Sequence, residues 1–348
     1  MKAALLTAPE TIEIRDIPKP VPGPEEVQVK VSYIAICGTD VHIYQGFSIG
    51  IFRPKLPLVL GHEMSGQVSA IGKGVKGFKE GDRVTVEANI GCGKCYLCRT
   101  GAYALCPDVK VLSIHAHGGL AEYVVAPQTH VYHLPDSYDD ELATLTEPLA
   151  MAMCGYLRAP VMPGDFVAVL GAGTGGFCLA ALAKMAGGEK TILAGTREER
   201  LKVGLAVGAD VVINARKESV VDAIMRETGG HGADIVYETA GVPQTFADSV
   251  RVAAPRATIS FYGVPTEPVN GFDFGMFLLK DLKMVSASGS PRCFASAISA
   301  AASGRVNLRP LITHRFTLDE TAKAMALVKS REDGVVKALI KVKEDDNG

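Results

Sequence analysis

Residues 166–186 read FVAVLGAGTGGFCLAALAKMA. The short apolar run FVAVL has the length of a buried strand, and the Ala- and Leu-rich stretch after it has the composition of a buried helix. Between them Gly171, Gly173 and Gly176 form GxGxxG. The motif alone is weak, but at a strand-to-helix junction each glycine has a task. Gly171 permits the tight turn, Gly173 lets the backbone approach a pyrophosphate, and Gly176 lets the helix pack closely. The helix start, with Thr174 and Gly175, offers free amides to phosphate. A purely structural glycine turn is the bland alternative.

The rhythm continues downstream. TILAG, DVVIN, ADIVYETAG and ATISFYG read as strands, and REERLKVGLAVGA, SVVDAIMRETGG and TFADSVRVAA read as the helices between them. Repeated strand–helix units with apolar strands predict a doubly wound parallel sheet. LKMVSAS adds a candidate edge strand. The second strand bears on the choice of dinucleotide. An NAD site usually places an acid there for the ribose diol. This chain has Gly195, then Thr196 and Arg197, with Arg200 in the next helical turn. The missing acid and the nearby donors favour NADP over NAD, because they suit a 2'-phosphate. Solvated helix-start residues in an enzyme that uses NAD, or both dinucleotides, are the other reading.

Upstream the pattern differs. VQVKVSYIAI, GHEMSGQVSAIG, DRVTVEA and LAEYVVAP are β-type runs broken by Gly and Pro, and Pro18, Pro20, Pro22 and Pro24 mark a turn-rich connection. A mostly β domain is expected there. The tail carries two helical segments, CFASAISAAASG and LDETAKAMALVKS, then the strand VVKALIKV and a frayed EDDNG. Periodicity leaves open whether this tail extends the parallel sheet or returns to the first domain.

The whole chain has 348 residues, 47% hydrophobic and 21% charged, with 36 Lys and Arg against 38 Asp and Glu. That supports a large core and excludes disorder as an overall description. The near-zero balance gives no footprint for nucleic acid or an anionic membrane. No apolar run is long enough to span a bilayer, and the strand-like opening lacks a signal peptide's apolar region. A soluble cytoplasmic enzyme is expected.

Of eight cysteines, Cys92, Cys95, Cys98 and Cys106 crowd into GCGKCYLCRTGAYALC. Four thiolates at such short intervals can surround one tetrahedral Zn²⁺, leaving no open position, so the expected role is structural. An iron–sulfur cluster uses similar spacing. Cys154, Cys178 and Cys293 read as buried small hydrophobes.

Together CGTDVH at 37–42, GHEMSGQVSAIG at 61–72, GDRV, the four-cysteine lobe, GAGTGG and GADIVYETAG resemble the zinc-dependent medium-chain alcohol dehydrogenase superfamily over essentially the whole chain. YQGFSIGIFRPKLPLVLGHE, TEPLAMA and RVNLRPLITHRF look most like its sorbitol and polyol branch. CGTDVHIY is equally similar to threonine and butanediol dehydrogenases. The resemblance implies a GroES-like β-rich catalytic domain over 1–155 with a zinc lobe at 89–110. A Rossmann domain follows over 156–289, and the tail, 290–348, completes the first domain. It also implies a catalytic zinc held by Cys37 and His62 with Glu63, Glu147 or both. A thiolate, an imidazole and a carboxylate keep zinc Lewis-acidic with one position open. Glu63 can instead act from behind the ligands, and Glu147 can be a plain helix-start acid.

In the mechanism so implied, zinc acidifies the alcohol and hydride passes to the nicotinamide. Thr39 takes the proton and relays it through the ribose hydroxyls to His42 and solvent, with Asp40 orienting the turn. Tyr44, Phe47, Ile49 and Phe52 are candidates to shape the pocket. Arg53, Lys55 and Arg292 are candidates to meet a polar substrate. His115 and His117 line the cleft or lie on the surface. The expected assembly is a homodimer or homotetramer, with Rossmann edge strands at an interface. The implied reaction is reversible oxidation of a secondary alcohol, a polyol in the branch it resembles most, to a ketone. The rivals are an L-threonine or 2,3-butanediol dehydrogenase, a zinc-less quinone or enoyl reductase, and a non-catalytic NADPH-binding or structural protein. Cys37, His62 and the complete cysteine lobe argue against the zinc-less reading.

Overall fold

The computed structural model describes residues 1–47, 54–265 and 267–342. The chain divides into two compact units. The first comprises Met1–Glu147, Phe294–Ala302 and the chain from Ile312 onward; the second comprises Pro148–Cys293 and Ser303–Leu311. The first passage between units therefore falls inside the helix Thr146–Arg158 rather than at residue 155. Residues 303–311 lie with the second unit, not with the tail.

In the second unit six parallel strands are β1 (Phe166–Leu170), β2 (Lys190–Gly195), β3 (Val211–Asn214), β4 (Ala233–Glu238), β5 (Ala253–Phe261) and β6 (Lys283–Ser286). Their order, β3-β2-β1-β4-β5-β6, is that of the doubly wound dinucleotide-binding sheet, reversing between β1 and β4. Val167, Ala168 and Val169 on β1 are fully buried, as both faces of such a sheet require. The helix Thr174–Ala186 is capped by Gly187 in the left-handed conformation, φ +85°, which costs glycine little.

The first unit is built on a seven-stranded sheet. Its central strand, Glu26–Ala35, pairs antiparallel with Glu63–Ile71 and Tyr123–Pro127. Toward the end of Glu26–Ala35 the tail strand Lys337–Lys341 also joins antiparallel, with Leu339 opposite Ala35. Alternation of apolar residues in EVQVKVSYIA sends Val27, Val29 and Val31 into the core. A separate hairpin, Lys2–Ala8 with Thr11–Asp16, continues into Leu58–Val59. The cysteine lobe is closed at its base by the short ladder Asn89–Ile90 with Lys110–Val111. Among the described residues no helix is long and apolar enough to cross a membrane.

Candidate active site

Cys37 precedes the helix Gly38–Tyr44 in extended conformation, φ −91°. Three residues on, Asp40 is fully buried and turns back: its Oδ2 accepts the Cys37 N–H at 3.0 Å. Its Oδ1 accepts the Gly61 N–H at 3.0 Å and lies 3.5 Å from His62 Nδ1. One carboxylate thus ties together the loops that carry Cys37 and His62. Burial works against the charge of Asp40, but His62 and the two N–H groups hold its pKa below the usual range. Gly61 has φ +87°, and a Cβ there would lie 2.4 Å from Ile34 Cδ1. Only glycine makes this turn.

His62 Nδ1 also meets Ser113 Oγ at 3.1 Å, which leaves Nε2 for a further partner. Donor atoms of Cys37, His62 and Glu63 lie within 4.8 Å of one another. Burial disfavours an imidazolium, yet Asp40 and Cys37 raise the proton affinity of His62 well above the ordinary value. A divalent cation would replace that proton and satisfy the same negative groups, so this donor set fits zinc.

Glu63 is buried against Lys337, whose Nζ donates to Oε1 at 2.5 Å and also contacts Oε2. Lys337, only 2% exposed, sits in the tail strand, and its Nζ also reaches the Ile36 carbonyl at 3.4 Å. Burial opposes its charge, but Glu63, Cys37 and Glu147 more than compensate and raise its pKa. Glu147 is buried in the first turn of Thr146–Arg158 and is not part of the 4.8 Å cluster. Burial pushes its pKa up to about 7, His62 opposes the rise, and Glu63 adds to it. Thr39 is exposed and His42 half-buried. Burial first, then Arg331, lowers the pKa of His42.

In the lobe, sulfur pairs Cys95–Cys106 and Cys92–Cys98 stand 3.8 and 4.0 Å apart. All four sulfurs lie within 4.8 Å of one another. Zinc–sulfur bonds of about 2.3 Å in a tetrahedron put sulfurs about 3.8 Å apart, so the set fits zinc. Backbone N–H groups of Cys92, Cys95 and Cys98 point at the sulfurs of Cys106, Cys92 and Cys95 at 3.4, 3.4 and 3.5 Å. The N–H groups of Lys94 and Cys95 lower the Cys92 pKa to about 6. Desolvation drives Cys98 up to about 12. Tyr103 anchors the lobe, donating to the buried Glu87 at 2.9 Å.

In the second unit Gly171 has φ +133°, and a Cβ there would strike Thr239 Oγ1 at 2.5 Å. A Cβ on Gly175 would strike the Tyr262 ring at 2.4 Å, and one on Gly176 the Gly171 carbonyl oxygen at 2.0 Å. Over Gly173, the N-cap of the helix beginning at Thr174, nothing lies within 4 Å. That open amide end can hold a phosphate. Gly195 ends β2, where a Cβ would fall 2.6 Å from the Ala172 Cβ. Packing against Ala172 is thus enough to keep any side chain, an acid included, out of this position. Arg200 Nε donates to the Ala172 carbonyl at 2.9 Å, so it braces the glycine turn. Arg197 occupies the N-cap position of the following helix and is half-buried, while Thr196 is exposed.

Other candidates separate cleanly. Tyr44 is buried and donates to the Glu10 carbonyl at 3.0 Å, whereas Phe47 is partly exposed and packs on His42. Lys55 and Arg292 are exposed. Ile49, Phe52, Arg53 and the terminal EDDNG lie outside the described residues. The Nδ1 atoms of His115 and His117 accept the backbone N–H of Val111 and Val59 at 3.0 and 3.1 Å, so both hold loops. Sequence reasoning missed Ser113 and Lys337. Ser113 leaves no signal, but a single lysine inside the apolar run VVKALI demands a buried partner.

Residues 23–136 match the alcohol dehydrogenase GroES-like domain, and residues 176–303 the zinc-binding dehydrogenase family. The chain is 36% identical to an L-threonine 3-dehydrogenase of Pyrococcus abyssi, covering 98% of this chain and 99% of that one. It is 34% identical to a sorbitol dehydrogenase of Halalkalibacterium halodurans at the same coverage. Among solved structures, a putative zinc-binding dehydrogenase from Sinorhizobium meliloti bound to NADP superimposes with a TM-score of 0.92. The two are 31% identical, with 98% of this chain and 99% of that one covered. With the donor cluster, the cysteine lobe and the parallel-sheet order already in place, these likenesses show that the chain belongs to the zinc-dependent medium-chain alcohol dehydrogenases, which join a GroES-like unit to an NAD(P)-binding Rossmann unit.

Proposed function

We propose that the protein reversibly oxidises a secondary alcohol of the polyol class to a ketone, with NADP preferred over NAD. The observation that carries the chemistry is the buried cluster of Cys37, His62 and Glu63 donors within 4.8 Å. In this reading Cys37, His62 and Glu63 hold a catalytic zinc with Glu147 beside them, and Cys92, Cys95, Cys98 and Cys106 hold a second, structural one. When bound, zinc lowers the pKa of the substrate hydroxyl, and the dinucleotide accepts the hydride. The Thr39 hydroxyl takes the proton. His42, kept neutral by partial burial, receives it on a ring nitrogen and releases it to solvent. Lys337 shares the charge of Glu63 and so limits how much negative charge the ligand set carries.

The dinucleotide lies on the open turn at Gly173, and Gly195, Thr196, Arg197 and Arg200 leave room and donors for a 2'-phosphate. The polyol assignment rests on likeness to sorbitol dehydrogenases in YQGFSIGIFRPKLPLVLGHE, TEPLAMA and RVNLRPLITHRF. The second reading is an L-threonine or 2,3-butanediol dehydrogenase, favoured by the 36% identity to the archaeal threonine enzyme. We propose a homo-oligomer as well. Phe274, Leu278 and Leu279, in the helix Phe274–Leu279 that precedes the edge strand β6 in sequence, are 63%, 73% and 90% exposed, an apolar surface suited to a second copy.

Initial rates of the zinc-loaded protein, each alcohol with NADP and with NAD, test the reading. The panel spans sugar alcohols, inositols, butanediols, L-threonine and simple secondary alcohols. Preferential polyol turnover with NADP is expected. Preference for threonine or butanediol overturns the substrate assignment, and preference for NAD overturns the cofactor assignment.

A further inference from the structure

Glu238 is the last residue of β4, fully buried, and uses its two oxygens unequally. Oε1 faces three donors: the Ala240 and Gly241 N–H groups, both at 2.9 Å, and the Thr245 hydroxyl at 2.7 Å, whose one proton the Val242 carbonyl also meets at 2.8 Å. Oε2 is buried without a well-directed hydrogen bond, the nearby Gly263 N–H donating instead to the Glu238 carbonyl. A buried carboxyl with an orphaned oxygen is costly, and its presence calls for a reason.

The reason lies in what the residue joins. The Glu238 carbonyl accepts the N–H groups of Tyr262 and Gly263 at 2.9 and 3.0 Å. Thr239 Oγ1 reaches back to the Gly171 carbonyl at 3.0 Å. The three turns touch one another. A Cβ on Gly171 would lie 2.8 Å from the Ala240 nitrogen, and one on Gly263 would lie 2.3 Å from the Gly241 nitrogen. Glu238 therefore sits where three turns meet: the glycine turn after β1, residues 239–242 after β4, and residues 262–264 after β5. These turns follow the carboxyl ends of the central strands, beside the point where strand order reverses, and doubly wound sheets bind dinucleotides there.

We infer that Glu238 is a positioning residue for the dinucleotide. It gathers Ala240, Gly241 and Thr245 onto one oxygen and so holds the 239–242 segment against the glycine turn. The inference rests on reading this unit as the NAD(P) site. Glutamine keeps the volume but turns one oxygen into a donor. If the amide nitrogen takes the Oε1 place it faces three donors; if it takes the Oε2 place it is a buried donor without an acceptor.

The test uses the full-length, zinc-loaded enzyme and measures NADPH affinity by nicotinamide fluorescence, together with KM for dinucleotide and for alcohol. Glu238→Gln is expected to weaken NADPH binding and raise the dinucleotide KM by about tenfold, the scale of one lost charge-assisted hydrogen bond. Zinc content and alcohol KM at saturating dinucleotide stay at wild-type values. Thr245→Val is expected to weaken NADPH several-fold, and Thr245→Ser, which keeps the hydroxyl, to restore it. Should Glu238→Gln fail to fold, the Thr245 pair decides. Unchanged NADPH affinity in Glu238→Gln or Thr245→Val overturns the inference, as does loss spread equally over alcohol KM and zinc content. Wild-type protein that binds neither NADPH nor NADH refutes the underlying assignment of the unit, and the inference with it.

Discussion

Replacing Asp40 by Asn probes how the proposed zinc centre is held, because the side chain touches both ligand loops and takes no part in ligation. Its two oxygens each accept a backbone N–H at 3.0 Å, from Cys37 and from Gly61. Asparagine keeps the shape but presents an NH2 to one of those N–H groups. At least one hydrogen bond to a charged acceptor is lost, about 1.5–3 kcal/mol, and the negative charge 3.5 Å from His62 Nδ1 goes with it. If the loss falls on the metal-competent arrangement, zinc affinity drops by about 10- to 150-fold. That agrees with the 10- to 100-fold typical of partners behind metal ligands. The assay is zinc retained after dialysis against a graded chelator, with turnover measured before and after zinc is restored. Asp40→Asn should lose one zinc at lower chelator than wild type and recover turnover in excess zinc. Wild-type zinc retention, or lost turnover with full zinc occupancy, would refute the reasoning.

Two further outcomes follow from the geometry. Burial and Arg331 hold the His42 pKa below 6.5, so its proton-accepting neutral form persists to lower pH than for an ordinary histidine. Arg331→Gln removes the smaller of the two causes, so the acid limb of kcat/KM for alcohol oxidation should move upward; an unmoved limb removes Arg331 from the account. Leu279→Glu puts a charge on the most exposed apolar residue of the helix Phe274–Leu279. It should shift the assembly toward smaller species in light scattering with the secondary structure intact, and an unchanged mass places the contact elsewhere.

Much of this molecule is legible in local patterns. The turn at 171–176 could be read because its pattern is contained in six consecutive residues, and the lobe because four cysteines lie within fifteen. The contacts that organise the cluster of Cys37, His62 and Glu63 are of another kind. Lys337 reaches Glu63 across a sequence separation of 274, and Ser113 reaches His62 across 51. The first depends on strand register, on Lys337–Lys341 joining Glu26–Ala35, and the second joins two residues that lie outside strands. Hydrophobic alternation marks the strand without naming its partner. Gly195 shows a subtler gap: sequence reading explains the missing acid by charge, while the structure adds that a Cβ there would meet Ala172. The same holds for Asp40, whose place in the CGTD turn is visible from spacing but whose grip on Gly61 is not.

The central claim is that this chain carries out hydride chemistry through a zinc at Cys37, His62 and Glu63, separate from a structural zinc in the cysteine lobe. The most direct measurement is turnover against bound zinc as metal is titrated back into stripped enzyme. The account predicts two equivalents per chain at saturation. In wild type, turnover should follow occupancy of the Cys37 site. Cys37→Ser should keep the lobe's equivalent and lose turnover. Full turnover in metal-free protein, or in Cys37→Ser holding one equivalent, would contradict it.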